Sequence, residues 1–509
     1  MVYHGVSNGC GMCKRRRKKC DETRPACTNC IRNKLVCPGY KAKTELVFRS
    51  YQPASTCDPP KLAPIPPFDS IYFIPELFDS AIKEQALASF YSEWTVQSSN
   101  HEVSRGYLDG LSALVSHAGT TSDLALAVRM MAFHTLGRRK KQPWLIEKAS
   151  ALYPGVLRSF AATIADKKAS RSIEALLVCV LLGFYEMFVA SAEPGSDLSL
   201  HGAHATGVIG ILRTGNSAHE VLKSGQANKF VRSLRFYGAV TTNYHANPLD
   251  APLGSSQSDF VGIDVLSPRT WELLLKVETS LANPRATTNE FYQLLGEALE
   301  IRELYDRWPK TQLPQWKPKV IGRMGSSCAK ARHPLCYPGN VETYFDLYVA
   351  SMYSTYRKGR MLQYLMIYHL ATHLYETRLA EEAQAEAILA AEGLISALPY
   401  LLLKDARALV DDADPALKPV PGKAIGGMMI MHLLFVASTF VNDLGENLTS
   451  YMKRVLEWIG TDMGIGQGSV LARASKLSVS RRYLSDAHII VWAGMILQPC
   501  KTAETSDEF

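Results

Sequence analysis

The chain has 509 residues, 47% of them hydrophobic and 20% charged, with a formal net charge of +8. The charge sits at one end: residues 1–44 hold eleven Lys or Arg against two acids, and the remainder carries 45 bases and 46 acids. The opening MVYHGVSNGC has no apolar stretch of signal-peptide length before the basic run KRRRKK, which argues against export and against a disulfide framework for the cysteines.

Six of the eleven cysteines lie between Cys10 and Cys37 as one unit, C-x2-C-x6-C, written twice. Cys10, Cys13 and Cys20 recur as Cys27, Cys30 and Cys37 after 17 residues, which predicts two short metal-binding arms related by an approximate two-fold axis. A structural zinc ion takes four thiolates, so one ion leaves two cysteines idle and two separate ions need eight; six serve two ions when two of them bridge. The equivalence of the arms points to Cys10 and Cys27 as the bridges. Between Cys13 and Cys20 stand Lys14, Arg15, Arg16, Arg17, Lys18 and Lys19, where a short helix starting near Cys13 splays six cations around a metal-pinned turn. Alone, such a run reads as solvated charge or a nuclear-import signal. Set between zinc ligands it reads as a surface for double-stranded DNA, phosphates supplying non-specific affinity and Arg or Lys donors reaching guanine in the major groove. The segment has almost no apolar core, so metal binding is its source of folding energy.

The six-cysteine spacing, the basic loop, CDETRPAC and CPGY resemble the fungal six-cysteine binuclear zinc cluster transcription factors. The resemblance covers about 30 residues and implies a nuclear, sequence-specific regulator of RNA polymerase II transcription that holds two zinc ions and works with the transcription machinery or co-regulators. It implies that the first-arm helix enters the major groove and reads a CGG-type triplet. Carried over by position, Arg16 and Arg17 approach the bases, while Lys14, Arg15, Lys18 and Lys19 serve phosphates. Pro25 matches the proline between the arms, where a fixed φ stiffens the turn that lets Cys27 reach back.

Residues 1–44 are therefore read as the zinc cluster and 45–69 as a proline-rich linker, with six prolines between Lys41 and Phe68 and no heptad seam. Many members of the family dimerise through a coiled coil at this place; its lack here predicts a monomer, or a homodimer joined through the large domain.

Residues 70–498 read as all-α, with clear alternating strands scarce and enough length for two packed subdomains. SDLALAVRMMAFHTLG predicts a buried helix capped by Ser122 and ending at Gly137, and SRSIEALLVCVLLGFYEMF another over Ser170 to Phe188. IGGMMIMHLLFVASTFV, Ile425 to Val441, approaches membrane length, but His432, Ser438, Thr439 and paired glycines favour a central bundle helix over a membrane span. AEEAQAEAILAAEGLISAL, ending before Pro399, and residues 485–497 predict further helices. Residues 499–509 form a short acidic tail. LALAVRMMAFHTLGRR, LLVCVLLGFYEMF and HGAHATGVIGILRTG resemble the helical regulatory region that follows these clusters in many fungal regulators. That resemblance implies a small-molecule effector, repression of an activating function, or partner contacts, and leaves activator, repressor and modulator open.

An enzyme tethered to DNA is the competing class, and no constellation supports it. His369 and His373 form H-x3-H, but Leu370 stands where a zinc protease needs its Glu, so a packed helix face is the reading. His201 and His204 sit near a helix start with no carboxylate expected beside them, and structural histidines are the reading. MGIGQGSV misses G-x-G-x-x-G because Ser469 takes the last position. Cys179 reads as core, and Cys57, Cys328, Cys336 and Cys500 lack ligand spacing. No catalytic residue is assigned.

Overall fold

The computed structural model describes residues 10–38 except 17, 19, 22, 24 and 25, then 76–190, 201–214, 262–325, 333–410, 420–441, 446–474, 488–495 and 497. The chain divides into two compact units, Met1–Phe73 and Ile74–Phe509. The boundaries expected at 44/45, 69/70 and 498/499 fall outside the described residues, as do the proline-rich linker and the acidic tail.

The first unit contains α1 (Gly11–Arg15) and α2 (Thr28–Arg32). The second begins with α3 (Glu76–Trp94), α4 (Leu111–Ala118), α5 (Asp123–Lys140), α6 (Pro143–Ala165), α7 (Ile173–Val189) and α8 (His201–Thr214). It continues through α9 (Ile263–Leu281), α10 (Thr288–Thr311), α11 (Leu347–His373), α12 (Thr377–Ser396) and α13 (Leu398–Leu402). The last are α14 (Ala424–Phe440), α15 (Glu446–Thr461), α16 (Gly466–Arg473) and a helical stretch at 488–493. The fold class is all-α. Among the described residues the one sheet is an antiparallel pair, β1 (Lys319–Met324) with β2 (Gly339–Thr343), bulged between Val320 and Gly322.

Side-chain caps start the helices where short polar residues precede apolar runs. Ser122 Oγ accepts from Ala125 N at 3.2 Å, Ser172 Oγ from Ala175 N at 3.1 Å, and Asp346 Oδ1 from Val349 N at 2.9 Å. Thr287 and Glu290 form a reciprocal capping box on α10. Two expected boundaries move. The helix begun at Ser122 runs past Gly137 to Lys140, and Lys141, with φ of 52°, closes it. Gly137 instead admits α6: a Cβ there would meet Ile146 Cγ1 at 2.8 Å and Leu145 Cβ at 3.0 Å. The next helix starts at Ile173 rather than Ser170, because Ser172 supplies the cap and 169–171 form a single 3-10 turn.

Helices α7 and α14 are buried nearly all round, as a core element needs when no face meets water. Trp94 closes one end of the core against Phe184 and Phe188, with ring centroids 5.5 and 4.8 Å apart. The stretch Thr377–Leu402, rather than Ile425 to Val441, is the described one long and apolar enough to cross a membrane by length and composition. Its apolar face, Ala383, Ala387, Ala391 and Leu394, is buried, with α12 packed on α11.

His134 lies in this core at 2% exposure, edge-on to Tyr185 and Phe188, and among the described residues neither ring nitrogen has a hydrogen-bond partner. Burial, and secondarily Arg138, pushes its pKa down to about 4. An unfolded imidazole titrates near 6.5, so below that pH the unfolded chain binds the proton first and stability falls. His134 is expected to remove up to about 3 kcal/mol between pH 6.5 and 4. Thermal unfolding across that range checks this: His134→Phe should shallow the acid slope, and an unchanged slope refutes the assignment.

Candidate metal centre and nucleic-acid interface

The two cysteine arms of the first unit repeat in three dimensions as they do in sequence. Cys10 Sγ accepts from Cys13 N at 3.4 Å and Cys27 Sγ from Cys30 N at 3.4 Å, so each leading cysteine caps the helix that follows. Lys18 N donates to Cys13 O and, 17 residues on, Leu35 N donates to Cys30 O. Arg16 N to Met12 O is likewise matched by Asn33 N to Asn29 O. Because Cys10 caps α1, that helix begins at Gly11, two residues before the expected start near Cys13.

These hydrogen bonds draw the sulfur atoms together. Cys10 Sγ lies 3.6 Å from Cys27 Sγ and 3.7 Å from Cys30 Sγ, and Cys13 Sγ lies 3.7 Å from Cys27 Sγ. A disulfide requires about 2.05 Å, so these are not bonded pairs. Zinc–sulfur bonds of about 2.3 Å in a tetrahedron place sulfurs about 3.8 Å apart, which these separations match. All six cysteines fall into two groups of four, Cys10, Cys13, Cys20, Cys27 and Cys10, Cys27, Cys30, Cys37, with ligand atoms within 4.8 Å of one another. Cys10 and Cys27 belong to both. The donor set therefore fits two zinc ions.

Charge explains why ions are needed. The amide of Cys13 stabilises a thiolate at Cys10, whose pKa falls to about 6, while burial pushes Cys13 up to about 12 and raises Cys27 and Cys30. Thiols this close resist sharing further negative charge unless cations enter between them. Apolar support is slight: among the described residues Met12 and Leu35 are the non-cysteine hydrophobics packed on the four buried sulfurs.

One contributor escapes sequence reasoning. Asp21, counted there as an offsetting acid, accepts from Thr23 Oγ1 at 2.6 Å and from Thr28 N at 3.1 Å, spanning from the end of the first arm to the start of α2. Those bonds, Thr23 first, hold its carboxyl well below the usual range. The signal available was an acid seven residues before a helix start, which does not single out an amide.

Of the six cations, Arg15, Arg16 and Lys18 are exposed beside the metal site, Arg15 in α1 and the others just beyond it. Lys14 lies in α1, but its side chain, like Arg17, Lys19 and Pro25, falls outside the described residues.

The remaining motif residues are absorbed by packing. His204 Nε2 lies 3.2 Å from Glu186 Oε1, which also accepts from Tyr153 Oη at 2.5 Å, so a carboxylate does stand near the histidine pair. It comes from α7, 18 residues upstream. His373 packs against Phe291 with the rings tilted by 49° and centroids 4.1 Å apart, and His369 lies beside Tyr368. Cys179 is 3% exposed and burial pushes its thiol up to about 12, an inert core group. Gly466 needs its missing Cβ because Ala190 O would lie 2.1 Å from one.

Comparison with known proteins agrees with this geometry. Residues 8–46 match the model of the fungal Zn(2)-Cys(6) binuclear cluster domain. The chain is 30% identical over 431 residues to the transcription factor dbaG of Emericella nidulans, a match covering 82% of this chain and 97% of that protein. Shorter matches are to sterol uptake control protein 2 of Candida albicans, 42% identical over 59 residues (11% of this chain, 8% of that one), and to white-opaque regulator 2 of the same organism, 42% identical over 60 residues (12% and 14%). No solved structure matches the chain.

Proposed function

The chain belongs to the fungal binuclear zinc cluster transcription factors, and from that premise we propose that it reads CGG-type triplets in regulating RNA polymerase II transcription in the nucleus. It is a DNA-binding regulator of transcription whose cluster holds two zinc ions; its relatives are transcription factors, and no enzyme family is indicated. The observation that carries the finer reading is the pair of four-cysteine groups sharing Cys10 and Cys27 beside exposed Arg15, Arg16 and Lys18. In this reading Cys10 and Cys27 bridge the ions, Cys13 and Cys20 complete one site, and Cys30 and Cys37 the other. The metals fix the turn; the cations do the reading.

Within the basic run the roles divide by reach. Arg16 and Arg17 are assigned to base edges, and Lys14, Arg15, Lys18 and Lys19 to phosphates. A guanidinium that donates twice to guanine O6 and N7 discriminates by about 1 to 3 kcal/mol, whereas a phosphate contact strengthens binding to every sequence alike. Arg17→Ala is therefore expected to lower the preference for a CGG-containing duplex over a scrambled one by that amount, while Lys19→Ala weakens both to a similar degree and reduces the salt dependence. Fluorescence anisotropy on both duplexes at several salt concentrations decides it; the reverse pattern would exchange the two roles. Residues 70–498 are assigned to regulation through co-regulators or a small-molecule effector.

A further inference from the structure

Several helices of the second unit bring polar side chains together in the interior. Lys358 of α11 is 3% exposed, and among the described residues its ammonium has neither an ion pair nor a hydrogen bond. Its Nζ lies 5.9 Å from the centroid of Trp271 on α9. Trp271 Nε1 and, one turn earlier, Ser267 Oγ are buried donors that meet no acceptor among the described residues. His488, from the 488–493 stretch, lies within electrostatic reach of Lys358 and of His432 on α14, and His432 lies near Gln467 of α16. Lys358, Ser267, Trp271, His432, His488 and Gln467 are each less than a tenth exposed.

We propose that this cluster is a binding site for a small organic monocarboxylate, held by Lys358 Nζ with hydrogen bonds from Trp271 Nε1–H and Ser267 Oγ–H. The donor set selects the charge. An ammonium offers three donors, an indole one, and neither accepts. Buried polar atoms in native proteins are ordinarily satisfied, and an interior cation without a counter-charge is a costly arrangement that an anion relieves. Burial pushes the Lys358 pKa down to about 8 and the neighbouring imidazoles also downward, so a single positive charge is on offer at neutral pH. One positive charge balances a monoanion; a phosphate dianion would retain a buried charge. The aromatic surroundings, Trp271 and the Trp492 ring 4.3 Å from His488, suit an apolar body attached to the carboxylate. Ordered water would satisfy the donors but would leave the ammonium uncompensated.

The site is independent of how the first unit reads DNA, and its test is a binding measurement. The zinc-loaded full chain is titrated by calorimetry with acetate, benzoate and succinate, with benzamide as the uncharged isostere of benzoate, and with inorganic phosphate. Benzoate or acetate should give a saturable one-to-one isotherm, benzamide none, and Lys358→Met should abolish it. Lys358→Met keeps the apolar stem and removes the charge; should it fail to fold, Ser267→Ala and Trp271→Phe report instead, each weakening binding about tenfold. Silence from all the carboxylates, equal heats from benzoate and benzamide, binding of phosphate in their place, or undiminished binding in the variants would overturn the proposal.

Discussion

Removal of zinc is expected to unfold the first unit and reduce DNA affinity to its non-specific level. Structural zinc contributes roughly 10 to 16 kcal/mol per site in domains of this kind, and four buried sulfurs with Met12 and Leu35 beside them cannot replace that. Specific binding exceeds non-specific binding by about a thousandfold or more, so a chelator should cost at least that factor on a CGG duplex. The two shared sulfurs make the effect position-dependent. Cys10 lies in both four-cysteine groups and Cys37 in one, so Cys10→Ser should lower the bound metal toward zero, whereas Cys37→Ser should leave closer to one equivalent. Elemental analysis of the purified variants measures this directly. Equal metal loss from both, or full DNA affinity after chelation, would remove the bridging assignment.

The metal centre was legible because its ligands are local. Six cysteines within 28 residues carry their geometry in their spacing, and the 17-residue displacement that linked Cys10 to Cys27 reappears in the hydrogen bonds of Met12, Cys13, Asn29 and Cys30. Helices were legible where a long apolar run stood out, as after Ser122, whose hydroxyl caps the first turn, and over Ala424–Phe440, which has no side-chain cap at Lys423. What stayed hidden depends on which element lies opposite. Gly137 reads as a stop in one dimension and is a contact for α6 in three. Glu186 meets His204 only because α7 and α8 pack together. The strand Lys319–Met324 is too short and too exposed for its alternation to show. Lys358, Trp271 and His488 come from elements more than 200 residues apart end to end, and no spacing rule joins them.

The same non-local logic applies to Glu342, a buried acid of the second unit. β2 delivers its carboxylate to Arg357 of α11: Glu342 Oε2 accepts from Arg357 Nη1 at 2.6 Å and Oε1 from Nη2 at 2.9 Å, a bidentate pair with side chains 12% and 9% exposed. Arg357 also donates to Tyr344 Oη at 2.8 Å and to Gly393 O of α12 at 2.5 Å, so one guanidinium ties the sheet to two helices. Breaking a buried pair from one side leaves an uncompensated charge, at a cost of about 3 to 5 kcal/mol; replacing both partners with apolar groups is often near neutral. Glu342→Gln is therefore expected to destabilise the helical unit by that amount. The double variant Glu342→Leu with Arg357→Met should recover most of the loss. Denaturant unfolding of the full chain, followed by helical circular dichroism, distinguishes the outcomes. A Glu342→Gln protein as stable as the wild type would mean that water, rather than the carboxylate, balances Arg357. A double variant as unstable as Glu342→Gln would assign the loss to packing around Tyr344 instead of to charge.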